Sequence, residues 1–381
     1  VIHNQHIINT SFWESETYFN NIDLIVVGSG IVGLSAAISF KEKFKKAKVL
    51  VLERGVLPTG ASTKNAGFAC FGSISELSSD IKKTSIDLVF QTIEMRIKGL
   101  ELLRKRLGDK SIDYKQLGGY ELFDDRKSFK NCVDDIEFFN KELYQFTKLK
   151  QTYRVELNNI EKFGFHSMKG IIHNTQEGQI DTGKMMLSLS SLAIKKGVTI
   201  LNNIDVKKIE DSSTGVWLNT SIGNIQCKKA IIATNGFANE LLNLKNIKPA
   251  RAQVLITKAI PNLKIKGTFH YNEGFVYFRN INNRILLGGG RNLDIKKETT
   301  SDFKLNSKIQ NYLTDFLKQT ILPNQHFDIE QRWTGIMGIG DEKMPIIKSV
   351  SENVVCAVRM GGMGIAIGSM VGQLAIKKLI D

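Results

Sequence analysis

At 381 residues, with 42% hydrophobic and 24% charged side chains, the chain is long and apolar enough to bury more than one core, which excludes a disordered protein. The absence of any fixed-period repeat argues against a solenoid or propeller. A net charge of +14 admits a polyanionic partner such as RNA. The lysines are nevertheless dispersed, apart from Lys41, Lys43, Lys45, Lys46 and Lys48 around one helix end, and that pattern describes a solvated surface.

In chain order, residues 22–27 form a short apolar run ending in glycine, the signature of a buried parallel strand. Residues 31–43 follow as a helix with Leu34, Ala37 and Ile38 on one face, and residues 48–52 as a second strand ending in Glu53. A small-residue loop spans 60–72, and 74–107 reads as largely helical. A strand is expected at 120–123, helices at 134–149 and 183–196, and short strands at 199–201, 205–209, 216–219 and 229–233. From about 250 the alternation suggests antiparallel strands at 253–259, 274–279 and 284–288, then a helix at 303–316. A last strand at 354–358 runs through a glycine cluster into a closing helix at 369–379.

Cys70, Cys132, Cys227 and Cys356 stand far apart with no CxxC pair, which reads as reduced thiols of a cytoplasmic protein with no metal site. Residues 1–21 lack the basic start and apolar stretch of a secretory leader. The apolar stretches 24–39 and 360–374 are interrupted by glycine and fall short of the roughly 20 residues of a membrane span, so they read as cofactor-contact segments.

The chemistry starts at Gly28-Ser29-Gly30-Ile31-Val32-Gly33. Gly28 permits the tight turn, Gly30 lets the backbone approach a pyrophosphate, and Gly33 lets helix and strand pack closely. The helix start offers free N–H groups and positive potential to the phosphates. Glu53 lies 20 residues after Gly33 at the end of the second strand, where a carboxylate accepts from ribose hydroxyls; Arg54 follows it into the cofactor site. Strand, glycine triad, helix, strand and acid in that order mark a dinucleotide site, without separating FAD from NAD.

Three further segments resemble the D-amino-acid oxidase superfamily over residues 24–379. The stretch Gly60-Ala61-Ser62-Thr63-Lys64-Asn65-Ala66-Gly67 resembles the loop that wraps the FAD pyrophosphate and flavin edge in that family. Ala233-Thr234-Asn235-Gly236 resembles the family's alanine–threonine–glycine strand end, with Asn235 inserted at the usual glycine; Val206 falls where the family pairs its backbone with adenine. Gly361-Gly362-Met363-Gly364-Ile365 resembles the turn laid against the flavin ring, where a helix start faces N1 and the C2 carbonyl.

The resemblance implies an α/β fold: a Rossmann-like FAD-binding domain, discontinuous over 1–105, 175–248 and 330–381, with an inserted α+β substrate domain over 106–174 and 249–329 on a mainly antiparallel sheet. It also implies oxidation of a C–N bond in an amine or amino acid, with oxygen or an electron carrier as acceptor. Met337 occupies the place where amino-acid-oxidising members carry an arginine for the substrate carboxylate. Arg251, Arg279, Arg291, Arg332 and Arg359 are the candidate substitutes, Arg359 foremost because it precedes the glycine turn. Tyr277, Phe275 and Trp333 are candidate pocket residues, and His173 reads as structural. No cysteine falls in the Met337 segment, so the FAD is expected to be noncovalent. Two alternatives remain open: a flavin oxidase acting on a modified uridine in tRNA, and a flavin-binding protein without amine turnover.

Overall fold

The computed structural model describes residues 9–381. The first eight residues, which open both the stretch 1–21 and the segment 1–105 expected in the cofactor domain, lie outside the described residues.

Residues 22–27 do form the expected strand, and Ile22–Val27 sits at the centre of an eight-stranded sheet. Its main path runs Ile346–Ser349, Val354–Val358, Gly223–Ile232, Ile22–Val27, Val49–Leu52, Val198–Leu201. All pairings along it are parallel except the first. Strands buried on both faces need continuous apolar sequence, and Ile22–Val27 and Val49–Leu52 supply it. One face packs helices Ile31–Lys43, Ile86–Leu107, Thr182–Lys195 and Gly364–Ile380. On the other face, Val206–Ser212 and Gly215–Thr220 continue antiparallel from Gly223–Ile232 and bury Val206, Val216 and Leu218.

The second eight-stranded sheet runs Ile329–Ile339, Lys248–Thr257, Arg284–Gly289, Val276–Ile281, Thr268–Tyr271, Gly119–Phe123, Gly170–Asn174, Tyr153–Val155. It is antiparallel except where Thr268–Tyr271 meets Gly119–Phe123. Helix Ser307–Phe316 covers one face, with Ile309 and Leu313 in one core with Phe269, Phe278 and Leu287. The opposite face carries Val254, Leu286, Tyr277 and Trp333 toward Ala66 and Phe68 of the 60–72 segment. The α/β class with a parallel Rossmann-like sheet and a mainly antiparallel second sheet is thus present.

Several boundaries differ from the sequence expectation. Strand Ile329–Ile339 pairs along its length with Lys248–Thr257, so most of the segment 330–340 belongs to the second sheet and not to the cofactor domain. The helical stretch 74–107 breaks at Thr84, which is extended, and restarts where the Ser85 hydroxyl accepts from Leu88 N. The helix expected at 134–149 begins at Arg126, capped by Asp125. The helix expected at 303–316 begins at Ser307, where Asn306 supplies the cap. The closing helix starts at Gly364, five residues early. Its glycines serve contact instead of turning: a β-carbon at Gly368 would stand 2.7 Å from Ile31 Cγ2. The 60–72 loop holds a helical turn, Ala61–Lys64, and a short strand, Phe68–Ala69, paired with Gly178–Gln179.

Candidate functional site

The carboxyl ends of the parallel strands open on a cavity of about 490 Å³ whose far wall is the second sheet. Val27 and Gly28, Leu52 and Glu53, Ala233 and Thr234, and Met360 all line it, as doubly wound sheets place ligands beyond strand ends.

The glycine triad divides its labour as its spacing requires. Gly28 and Gly30 line the cavity, whereas Gly33 closes the turn on itself: a β-carbon there would lie 1.9 Å from Gly28 O. Helix Ile31–Lys43 starts here, and Ser62 Oγ accepts from Ile31 N at 3.0 Å. Ser29 is buried and does not line the cavity; its N and Oγ donate to Glu53 Oε2 at 3.0 and 2.8 Å, while Gly55 N donates to Oε1 at 3.1 Å. The carboxylate so held retains about one of its roughly four acceptor positions for a ribose hydroxyl. Arg54 pairs with Glu240 at 2.7 Å and lies 4.1 Å from the Phe237 ring centroid. Val206, Ile31 and Val32 also line the cavity.

From the 60–67 segment Ala61, Ser62, Lys64, Asn65, Ala66 and Gly67 line the cavity; Thr63 is exposed and does not. Thr234 lines it with a buried hydroxyl oxygen that has no hydrogen-bond partner. The inserted Asn235 has φ +45° and its Oδ1 accepts from Arg359 N and Met360 N, tying two strand ends together. Gly236 packs against the Met337 backbone instead of the cavity. Gly361, Gly362, Met363, Gly364 and Ile365 line it, and helix Gly364–Ile380 begins there with no side-chain cap. Its free N–H groups offer positive potential.

Two helix starts, the partnerless Thr234 hydroxyl and the bare backbone of Gly30 on the cavity wall fit a flavin dinucleotide. Gly30, Ser62 and the Ile31–Gly33 turn would hold the pyrophosphate, Glu53 the ribose, and the 361–365 segment the ring.

Of the residues expected at the substrate, Met337, Tyr277, Phe275 and Arg291 line the cavity; Trp333 and Arg359 do not. Trp333 Nε1 donates to Lys64 O at 3.0 Å, bracing the wall from behind. Arg359 is 4% exposed, and its guanidinium donates to Met344 O, Asn246 O and Glu342 Oε2 at 3.0–3.1 Å. Its φ of +67° turns the side chain into the 340–346 loop, so the expectation that it reaches ring or substrate is not met. His173 is remote: its Nδ1 sits 3.0 Å from Glu156 Oε1 and its ring stacks on Tyr120.

Other residues on the wall escaped the sequence reading. Phe68 meets both His270 and Tyr277 edge to face. Burial pushes the Tyr277 phenol up to about 12. Cys70 and His270 line the cavity, and with Glu177 they bring three buried donor atoms within 4.8 Å of one another. That is a donor set of the kind divalent metals take, although no sequence spacing betrays it; here it is satisfied internally. His270 Nε2 faces Glu177 Oε2 at 3.3 Å, and Glu177 Oε1 accepts from Phe71 N and Gly72 N. Burial disfavours the His270 cation, but its bonds to Cys70 and Glu177 prevail and raise its pKa well above the ordinary value. Lys343 also lines the cavity and pairs with Glu76 and Asp80 at 2.7 and 2.8 Å.

The comparisons with known proteins agree with this arrangement. The probable oxidoreductase OrdL of Haemophilus influenzae is 22% identical over 96% of this chain and 84% of its own length. Glycine oxidase of Geobacillus kaustophilus is 23% identical over 70% of this chain and 69% of its own. The crystal structure of that oxidase shares the fold at a TM-score of 0.75 and 19% identity, covering 94% of both chains. L-amino acid deaminase from Proteus vulgaris does so at 0.76 and 15%, again covering 94% of both. The family model described as FAD dependent oxidoreductase, DAO, matches residues 23–378, and the chain belongs to that family of flavoenzymes.

Proposed function

We propose that this enzyme oxidises the C–N bond of an amine or amino acid to an imine, which water then hydrolyses. The observation that carries the reading is continuity: one cavity joins the dinucleotide cradle to an aromatic and thioether wall made by Phe68, Phe275, Tyr277, Met337 and Met363. FAD, when bound, supplies the acceptor for a hydride from the carbon beside the nitrogen.

The chain's own part is orientation and exclusion of water. Phe68 and Tyr277 pack edge to face on the cavity wall, and Met337 and Met363 line it beside them. Tyr277, with its raised pKa, stays protonated at neutral pH and can donate a hydrogen bond. The uncapped start of Gly364–Ile380 favours negative charge at the turn where the ring would lie. No side chain here is assigned as general base.

The test is an anaerobic screen of amines, D- and L-amino acids and N-methyl amino acids against the holoenzyme, read as bleaching of the oxidised flavin band. Bleaching by at least one class supports the reading. Failure of every class, with flavin fully bound, would leave a flavin-binding protein without amine turnover.

A further inference from the structure

The residues of strand Ile329–Ile339 that line the cavity, Met337 among them, include no cation for an acidic substrate, and the arginines can be sorted by what they hold. Arg251 forms two bonds to Glu298 and further bonds to the carbonyls of Lys297 and Asp302. Arg279, 2% exposed, donates to Gly67 O and Ile180 O. Arg332 donates to Gln310 and Thr314. Arg359 is spent on two carbonyls and Glu342. These four are structural.

Arg291 differs. It lines the cavity, it is part-buried, and among the described residues its guanidinium has no hydrogen bond or ion pair. Burial depresses its pKa, and the one carboxylate that acts on it, Glu298, is already engaged by Arg251. The other cations on the cavity wall are occupied: Arg54 by Glu240, Lys343 by Glu76 and Asp80, His270 by Glu177. Lys64 has its ammonium 5.5 Å from the Phe303 ring centroid.

The position of Arg291 is built and not incidental. Strand Arg284–Gly289 ends in two left-handed glycines, Gly289 at φ +116° and Gly290 at φ +73°. Gly290 N donates to Phe275 O at 2.7 Å, and a β-carbon on Gly289 would stand 2.0 Å from that oxygen. Only this glycine pair lets the chain turn so closely there, and the turn delivers Arg291 to the wall that Phe275 and Tyr277 share.

A part-buried guanidinium without a protein partner is under-solvated, and an anion entering the cavity would pair with it. Its planar fork matches a carboxylate with two parallel bonds. The geometry points to Arg291 as the anchor for a substrate carboxylate, held from the turn after strand Arg284–Gly289 and not from strand Ile329–Ile339. The substrate class is then an amine that bears a carboxylate. The fate of the nitrogen rests on the amine-oxidising reading above; recognition of the anion rests on Arg291 alone.

The test uses the FAD-loaded enzyme with Arg291→Met and Arg291→Lys variants of equal flavin content. First, benzoate, chosen for the aromatic wall, and its neutral amide are titrated while the flavin absorbance is followed. Benzoate should perturb the wild-type spectrum, benzamide much less. Arg291→Met should weaken benzoate roughly 10–100-fold, with partial recovery in Arg291→Lys. Second, a reactive amino acid should show a raised KM and a largely kept kcat in Arg291→Met, while its decarboxylated amine is unaffected. Equal benzoate affinity in wild type and Arg291→Met overturns the inference, as does an equal loss for acid and amine. If nothing bleaches the flavin yet benzoate still depends on Arg291, the functional reading falls and the anion site stands. If amino acids bleach it and Arg291→Met behaves as wild type, the reverse holds.

Discussion

At the scale of single residues, Glu53 does more than the dinucleotide pattern assigns to it. Its carboxylate takes both donors of Ser29 and the N–H of Gly55, so it shapes the turn it was expected only to follow. Glu53→Ala should therefore weaken FAD binding by about 1–3 kcal/mol and also lower the melting temperature of the flavin-free protein, because buried donors lose their acceptor. Gly30→Leu should abolish FAD retention outright; a Gly30→Leu protein that purifies fully loaded would make the triad a mere packing device. Glu76 supplies a pH prediction. Burial alone would raise its pKa, yet Lys343 and Arg96 bring it from 4.5 down to about 2. A carboxyl depressed in the folded state stabilises above its ordinary pKa, and that contribution fades as pH falls from about 4.5 toward 2. The shift corresponds to on the order of 3 kcal/mol at most. Urea unfolding of wild type and Glu76→Gln should differ most near pH 6, with the gap shrinking below about pH 4.5 and closing toward pH 2; a gap independent of pH would contradict the assignment.

At the scale of elements, the first strand–helix–strand unit was readable because each signal was local: an apolar run, a glycine triad, an acid. The closing helix was misplaced because its glycines imitate a turn. Gly368 and Gly372 instead allow Gly364–Ile380 to lie against Ile31–Lys43. A β-carbon at Gly372 would stand 2.6 Å from Val32 O and 2.7 Å from Ala36 N, and backbone atoms cannot move aside as a side chain can. Both helices begin at the cavity, so their spacing sets the distance between the phosphate turn and the ring turn. Gly372→Val should cost at least about 1–3 kcal/mol of stability and reduce flavin content together with it. Gly183→Ala, at a helix position where the nearest contact to a new β-carbon is 3.4 Å, should instead be neutral or stabilising by up to about 1 kcal/mol. Thermal melts with flavin absorbance measured on the same samples check both. Cys70, Glu177 and His270 left no such local trace; they meet only because the Phe68–Ala69 and Gly178–Gln179 pair, which Cys70 follows and Glu177 precedes, lies against strand Thr268–Tyr271, which no spacing in the chain encodes.

At the scale of the whole molecule, the two sheets meet the cavity from opposite sides, and the 60–72 segment beside it is tied to the second sheet by Trp333 to Lys64 O and Arg279 to Gly67 O. A dinucleotide lying between them would add contacts that neither sheet has alone, and a ligand that binds only the folded state stabilises it by mass action. On the wall, burial, aided by Glu177, raises the pKa of the Cys70 thiol, and His270 is held by Glu177. The FAD should thus be exchangeable, at about one per chain. Acid precipitation should leave the polypeptide colourless and all flavin in the supernatant. Protein stripped of flavin should melt lower, and FAD at about 100 times its Kd should restore roughly 2.7 kcal/mol, a rise of several degrees for a chain of this length. Flavin retained on the precipitated chain would show a covalent bond, and an unchanged melting temperature on adding FAD would show that the cofactor does not hold the two sheets together.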